Sequence, residues 1–324
     1  MSAPAFSIVV PVHDGARWLR ETIASVLHQT RGDWQLIVVD DGSSDDSAAV
    51  AERVGDPRVQ VIRQGNAGAF AARRSGLARA QAPAIVFLDA DDRLRPDALA
   101  RFAAALERAP AAAVVYGDRV LADRTGQVFG AESGALLAAR PSGDVLEQLL
   151  RRNFLSTSGQ TCIRADALDD ADEWRVDLRR MADWYLWCRL AARRPFAYCG
   201  RGAVVEYRLH ASSMSRRFTA EEDAEHPHIA ELEPAIAAVF ALPAIQQRFP
   251  ARRLAALRRR SVASAYAWKA QDLLRAGRFS ASRRYLLAAL RRHPAQPVDL
   301  LCLLIAVLRF HPPLIDRWVG RVSE

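Results

Sequence analysis

Apolar runs and stretches of helical periodicity alternate along the first third of the chain. Phe6-Ser7-Ile8-Val9-Val10-Pro11 is short, apolar and β-branched, and residues 17–28 then set Leu19, Ile23, Val26 and Leu27 at helical spacing. Trp34 to Val39 is a second strand, ended by Asp40-Asp41-Gly42, and Ser43 to Asp46 supplies capping chemistry for a helix through Val54. Val59 to Ile62 is a third strand, followed by a helix over roughly residues 68–80. Ala84 to Leu88 is a fourth, ended by Asp89-Ala90-Asp91-Asp92, with Pro96 opening the next helix and Ala113 to Tyr116 forming a fifth strand. Apolar strands alternating with helices predict a parallel sheet covered on both faces. Such sheets bind ligands beyond the carboxyl ends of their strands, so both acidic clusters are expected on one rim.

The pattern then changes. Residues 120–215 read as mixed, with strands near Thr161–Arg164, Phe196–Tyr198 and Val204–Arg208 and a helix near Asp183–Ala192. From 251 onward the chain reads as helical and Arg-rich. Tyr266, Gly277, Ala281, Leu290 and Pro294 fall as in one tetratricopeptide-like helix pair, which is too little for a solenoid and is read as an appendage.

The chain has 324 residues, half apolar and a quarter charged, enough for an ordinary buried core. Its net charge of +8 is uneven: residues 251–324 hold 15 Lys+Arg against 4 Asp+Glu, which leaves the first 250 residues at −3. Lys269 is the single lysine, so Schiff-base and P-loop lysine chemistry are excluded from the main body. Cys162, Cys188, Cys199 and Cys302 lack metal-site spacing and read as buried thiols of a reducing cytosol. Residues 1–5 carry no basic segment leading into an apolar stretch, so no signal peptide is expected. The longest apolar run, Leu300 to Leu308, is far short of the ~20 residues of a bilayer span. Flanked by Arg309 and Trp318 in a segment of local charge +11, it is expected to hold the protein at the cytoplasmic face of a membrane. Packing on the body or an oligomer contact is the alternative. Few aromatics interleave the tail's arginines, which argues against a nucleic-acid partner.

Seven segments then stand in order: Ser7 to Gly15, Ser25 to Thr30, Leu36 to Asp45, Asn66-Ala67-Gly68 through Arg73, Phe87 to Asp92, Ala182 to Trp187, and Tyr207 to His210. In this order and spacing they resemble family 2 glycosyltransferases over about residues 6–215, two thirds of the chain. The resemblance implies an α/β, Rossmann-like GT-A fold with a mixed, mainly parallel central sheet and a C-terminal helical appendage. The catalytic domain would span 1–218, with a donor half of about 1–118 and an acceptor half of about 119–218. Residues 219–324 would form the helical, Arg-rich region. The implied reaction moves a sugar from a nucleotide-diphospho-sugar, UDP-type favoured, to a hydroxyl of a saccharide or lipid-linked acceptor with inversion. Such activity serves cell-surface polysaccharide or glycolipid assembly.

The roles follow residue by residue. Asp91 would be the direct ligand of a divalent cation, Mg²⁺ or Mn²⁺, with Asp89 and His210 as further candidates. Carboxylate oxygens suit both ions, and a cation bridges the charge of a leaving diphosphate. Pro11, Val12, His13, Asp14, Asp40, Arg73, Asp89 and Ala90 would line the donor, with Asp40 accepting from a pyrimidine imide. His13 stands where the family usually carries Tyr. Asp183 would be the catalytic base, taking the acceptor's proton; the family's preceding Glu is Ala182 here. Asn153, Thr157, Ser158 and Trp184 fall where the family often lines the acceptor side. Plainer readings stay open: Asp89 and Asp91 as caps of the helix near Pro96, Asp40 as a turn residue, Arg73 as a solvated helix arginine, Asp183 as an N-cap and His210 as a loop residue. A dehydrogenase would want G-x-G-x-x-G after the first strand, which is missing. A catalytically silent nucleotide-sugar-binding scaffold is the remaining alternative.

Overall fold

The computed structural model describes residues 3–129, 140–168, 178, 181–210, 227–275 and 277–293. The Leu300–Leu308 run, Arg309, Trp318 and Cys302 lie outside the described residues.

The first four strands, β1 (Phe6–Val12), β2 (Trp34–Asp41), β3 (Val59–Gln64) and β4 (Ala84–Phe87), form a parallel block in the order β3-β2-β1-β4. β1 is buried at all seven positions because helices cover both faces. Phe6, Ile8, Val10 and Val12 enter the main apolar cluster with Leu19 and Ile23 of α1 (Ala16–Leu27) and with Phe102 of α4 (Ala98–Arg108). Val9 points the other way, toward α3 (Ala69–Leu77). A Cβ on Gly76 of that helix would stand 2.4 Å from Val9 Cγ1. The short α2 (Ser47–Glu52) follows β2.

Beyond β4 the sheet turns mixed. β8 (Thr161–Arg164) runs antiparallel to both β4 and β6 (Val114–Ala122). β9 (Phe196–Arg208) is parallel to β6 with a register irregularity near Tyr116–Arg119, and it pairs antiparallel with β5 (Arg93–Leu94). β7 (Val128–Phe129) pairs with β6 off this path. The expected α/β architecture with a mixed sheet is thus present. β9 is one strand where the sequence pattern reads two, and β5 and β7 are too short to show periodicity. Pro96 does not open α4: the helix begins at Ala98 with Asp97 as its cap residue.

By contacts the chain divides into two units. The first comprises Met1–Ala122, Gly126–Val145 and Phe154–Arg208 and holds the whole sheet together with α6 (Ala182–Arg193). Its thiols Cys162, Cys188 and Cys199 are buried, and burial pushes their ionisation upward, so they are inert packing groups. The second comprises Asp123–Thr125, Leu146–Asn153 and everything from Leu209 onward. It contains α5 (Leu146–Arg151), α7 (Pro227–Phe240), α8 (Pro243–Arg248), α9 (Ala251–Arg275) and α10 (Phe279–Arg292). The expected helix pair is α9 and α10. It turns at Gly277 (φ +71) and closes on Tyr266 and Tyr285, whose ring centroids lie 5.9 Å apart. Inside it the Ser282 hydroxyl donates to the Ala270 carbonyl. No helix among the described residues is long and apolar enough to cross a membrane.

Candidate active site

β1, β2 and β4 end on the same edge. Asp40 lies opposite Val12 in the ladder, and Leu88 N–H extends the β4 pairing to the Val9 carbonyl. Both acidic clusters therefore reach one rim, as parallel strands require.

At the β2 end the two aspartates divide the work. Asp41 is buried and accepts three hydrogen bonds, from Gln64 Nε2 and from the backbone N–H groups of Ala67 and Gly68. It shapes the loop between β3 and α3. Gly42 follows at φ +72, with no room for a Cβ because Asn66 N would lie 2.8 Å from it. Asp40 accepts at Oδ1 from Ser43 N–H, 3.1 Å away. So Asp40 does serve the turn, through one oxygen, and Asp41 serves the neighbouring loop.

His13 is oriented by both ring nitrogens. Nδ1 lies 2.9 Å from the Asp41 carbonyl and Nε2 lies 3.2 Å from Asn66 Nδ2, an arrangement that the tautomer with its proton on Nδ1 satisfies. Pro11 and Val12 precede it as buried strand residues. Asp14 (φ +51) takes Ser44 N–H, Ser44 Oγ and Asp45 N–H at Oδ1. Those bonds, with the Ser44 N–H foremost, hold its carboxyl below the usual range. Asp14 thus joins the turn after β1 to the turn after β2.

At the β4 end the partition is sharper. Asp92 is fully buried and accepts from Arg208 N–H at 3.0 Å and from Thr157 Oγ1 at 2.9 Å. Burial, then the charges of Asp91 and Asp89, push its carboxyl well up. The buried Thr22 hydroxyl lies 2.8 Å from both the Ala90 and the Asp92 carbonyl oxygens. Arg208 Nε donates to the Asp91 carbonyl, while its guanidinium pairs with Glu21 at 2.7 Å and lies over the Trp18 ring. The turn carrying Ala90 and Asp91 is therefore fixed through its backbone. None of these aspartates caps α4, whose cap residue is Asp97.

Arg73 is no solvated helix residue. Its side chain is 8% exposed, and Nη2 meets Asp89 Oδ1 at 2.5 Å. Its buried Nε has no acceptor among the described residues.

Asp183 is not the N-cap of α6. That position is Met181, held left-handed at φ +59, and Asp183 lies inside the first turn. Its Oδ1 takes the Trp184 N–H, at 2.7 Å. Burial raises its proton affinity, against the opposing pull of the Trp184 N–H and of the Arg73 charge; the Asp89 charge raises it further. Asp183, Arg73 and Asp89 thus lie within electrostatic reach of one another.

Of the four residues expected on the acceptor side, Thr157, Ser158 and Trp184 lie in the first unit and Asn153 in the second. The Trp184 ring is buried at 2% exposure, so Trp184 contributes its backbone N–H and no face. Thr157 caps a short 3-10 turn and donates to Asp92, and Ser158 is buried in that turn with its carbonyl accepting from Thr161. Asn153 and the buried His210 belong to the second unit. Sequence reasoning gave no role to Asp92, Arg208, Glu21, Thr22 or Asp118. Asp118 is buried between Arg140 and the Tyr198 hydroxyl, 2.6 Å away, and the Tyr116 ring meets those of Tyr198 and Phe154 at a tilt of 51°.

Among the described residues no three His, Cys, Asp or Glu side chains gather as a cation cage. Asp91 and Asp89 are the carboxylates that would hold a cation, and one or two carboxylates fit an ion shared with substrate phosphates. Mg²⁺ in particular takes one or two carboxylates and completes its shell with water and phosphate oxygen.

The sequence profile described as Glycosyl transferase family 2 matches residues 7–140. The chain is 32% identical over 180 residues to a PGL/p-HBAD biosynthesis glycosyltransferase of Mycobacterium tuberculosis, covering 53% of this chain and 69% of that one. It is 26% identical to the putative teichuronic acid biosynthesis glycosyltransferase TuaG of Bacillus subtilis, over 65% of this chain and 82% of TuaG. The 37% identity to the putative glycosyltransferase EpsH of the same organism spans 30% of this chain and 29% of that protein. The fold is similar to that of S. aureus TarS residues 1–349 in complex with UDP-GlcNAc, at a TM-score of 0.65 and 15% identity, over 98% of this chain and 90% of the other. With two acidic strand ends on one rim, a buried arginine at the second of them and these relatives, the chain is a member of the family 2 glycosyltransferases.

Proposed function

We propose that this enzyme transfers a sugar from a nucleotide-diphospho-sugar, UDP-type favoured, to an acceptor hydroxyl in a single displacement with inversion. One observation carries the reading: a half-buried Asp183 carboxyl lies within electrostatic reach of a buried Arg73 whose Nε–H is unspent. Arg73 would donate that proton to a diphosphate oxygen in a water-poor setting, where a charge-assisted bond is strong. Asp40 and the oriented His13 ring would receive the base. Asp91, with Asp89, would hold a divalent cation, which when bound supplies charge neutralisation on the departing diphosphate.

Asp183 would take the proton of the acceptor hydroxyl while that oxygen bonds to the anomeric carbon. The bond from that carbon to the diphosphate breaks, and its electron pair leaves with the nucleoside diphosphate. A raised carboxyl pKa suits this task, because a stronger base accepts the proton more readily. One carboxylate opposite the leaving group supports inversion. TuaG and the mycobacterial relatives are described by teichuronic acid and PGL biosynthesis, which supports a saccharide or lipid-linked acceptor of cell-surface assembly.

The test is Asp183→Asn. UDP affinity is expected to stay within a few-fold while transfer falls by ~10²–10⁴. Transfer that persists at the wild-type rate ends the assignment of the base.

A further inference from the structure

The second unit holds a cavity of about 230 Å³ lined by Arg151, Arg253, Arg259, Arg260, Arg292 and His293, with Ala256 and Leu257 as its floor. Three elements build it. Arg253, Ala256, Leu257 and Arg260 recur at helical spacing on one face of α9, Arg151 ends α5, and Arg292 and His293 end α10. Two carboxylates offset this charge: Glu147 pairs with Arg151 and Arg253, and Glu233 pairs with Arg292. Five guanidinium groups against two carboxylates leave three positive charges around one cavity. Arg151 and Arg292 have an ordinary explanation, since cations at helix C-termini offset the helix dipole. That explanation fails for α9, where the arginines sit in the N-terminal half and the first turn carries no acidic residue. Arg259 and Arg260 have no partner among the described residues. The Nδ1 atom of His293 is buried without one.

We propose that this cavity binds a phosphate group, either in a phospholipid headgroup or in a soluble phosphate ester. Guanidinium forks match phosphate oxygens, several converge here, and an anion would relieve their mutual repulsion. The volume fits: water occupies ~30 Å³ per molecule, so a phosphate and part of its ester enter together. The site is distinct from the donor rim, which lies wholly in the first unit.

The test compares two pairs of equal charge on α9 in the full-length protein. Arg259→Gln/Arg260→Gln removes two cavity arginines, and Arg252→Gln/Arg258→Gln removes two exposed ones that do not line it. Flotation uses phosphatidylcholine vesicles with and without phosphatidylglycerol, and thermal shift uses inorganic pyrophosphate. The cavity pair is expected to lose vesicle partitioning roughly 25-fold, at about one kcal/mol per basic residue, or to lose a similar factor in pyrophosphate affinity. Whichever probe responds identifies the source of the phosphate. The control pair is expected to change severalfold less, and both pairs to melt like the wild type without probe, their positions being at the surface. Equal losses in the two pairs, or no loss in the cavity pair with either probe, overturn the proposal.

Discussion

The two acidic strand ends look alike in sequence and are built differently. At the β2 end, Asp41 is satisfied by Gln64 at the end of β3 and by Ala67 and Gly68 in the connection that follows it. At the β4 end, Asp92 is satisfied by Thr157 and Arg208, 65 and 116 residues away. In each cluster the most buried aspartate fixes the backbone around it: Asp41 is 2% exposed against 6% for Asp40, and Asp92 is fully buried beside half-buried Asp89 and Asp91. A local structural carboxylate stabilises one loop, whereas one with remote partners ties the turn after β4 to the rest of the sheet. Damage at Asp92 should therefore spread further than damage at Asp41.

The largest expected effect separates working from structural groups within one turn. Asp91→Ala is expected to abolish donor-dependent transfer by several orders of magnitude with little change in melting temperature. Activity unchanged in this variant, or in excess chelator, would show that no cation acts through Asp91. Asp92→Ala should do the reverse first, destabilising the fold by roughly 2–4 kcal/mol because two buried donors lose their acceptor. Urea melts read this directly, and a loss under 1 kcal/mol would make Asp92 a bystander. Asp41→Ala should cost about 1–3 kcal/mol, confined to its loop. Hydrogen exchange would show it as faster exchange at Ala67 and Gly68 with the rest of the sheet protected. Exchange spreading across the sheet would break the contrast between the two ends.

The smallest effect concerns pH. The Asp183 carboxyl is raised in the folded state, so the protein is favoured while that group is protonated and loses this contribution as pH rises from the ordinary carboxylate value through the raised one. Asp183→Asn removes that loss. Its melting temperature is expected to equal or exceed the wild type's at pH 8 and to show no such gain at pH 4. Wild-type kcat/KM should fall on the acid side with a midpoint above the normal aspartate range. A midpoint at or below 4 would place the base elsewhere.

The strand-ending aspartates were legible because an apolar run stopped by Asp is a local pattern. Their division of labour was not, since it depends on Thr157, Arg208 and Glu21, whose partners are remote in the chain. The plainer reading of Asp183 as an N-cap stayed open because Ala182-Asp183-Trp184 has the look of a helix start. Only the backbone shows that Met181 occupies the cap. β9 read as two strands because Gly200 and Gly202 interrupt the apolar pattern. Both have positive φ, near +100, and the strand continues through them with shifted register. Arg73 was undecidable on spacing, because burial of a helix arginine depends on what the sheet edge places above it.

The turn after β4 has a kinetic consequence. The Thr22 hydroxyl is shared between the carbonyls of Ala90 and Asp92, and Arg208 Nε donates to the Asp91 carbonyl. A turn held in this way is ordered when the chain folds and does not wait for its ligand. Capture of the donor should then be limited by encounter and electrostatic steering, with an association rate that depends on ionic strength more than on temperature-sensitive loop closure. Loosening the clamp by Thr22→Val should turn that capture into a two-step process, with a slow phase that does not scale with donor concentration.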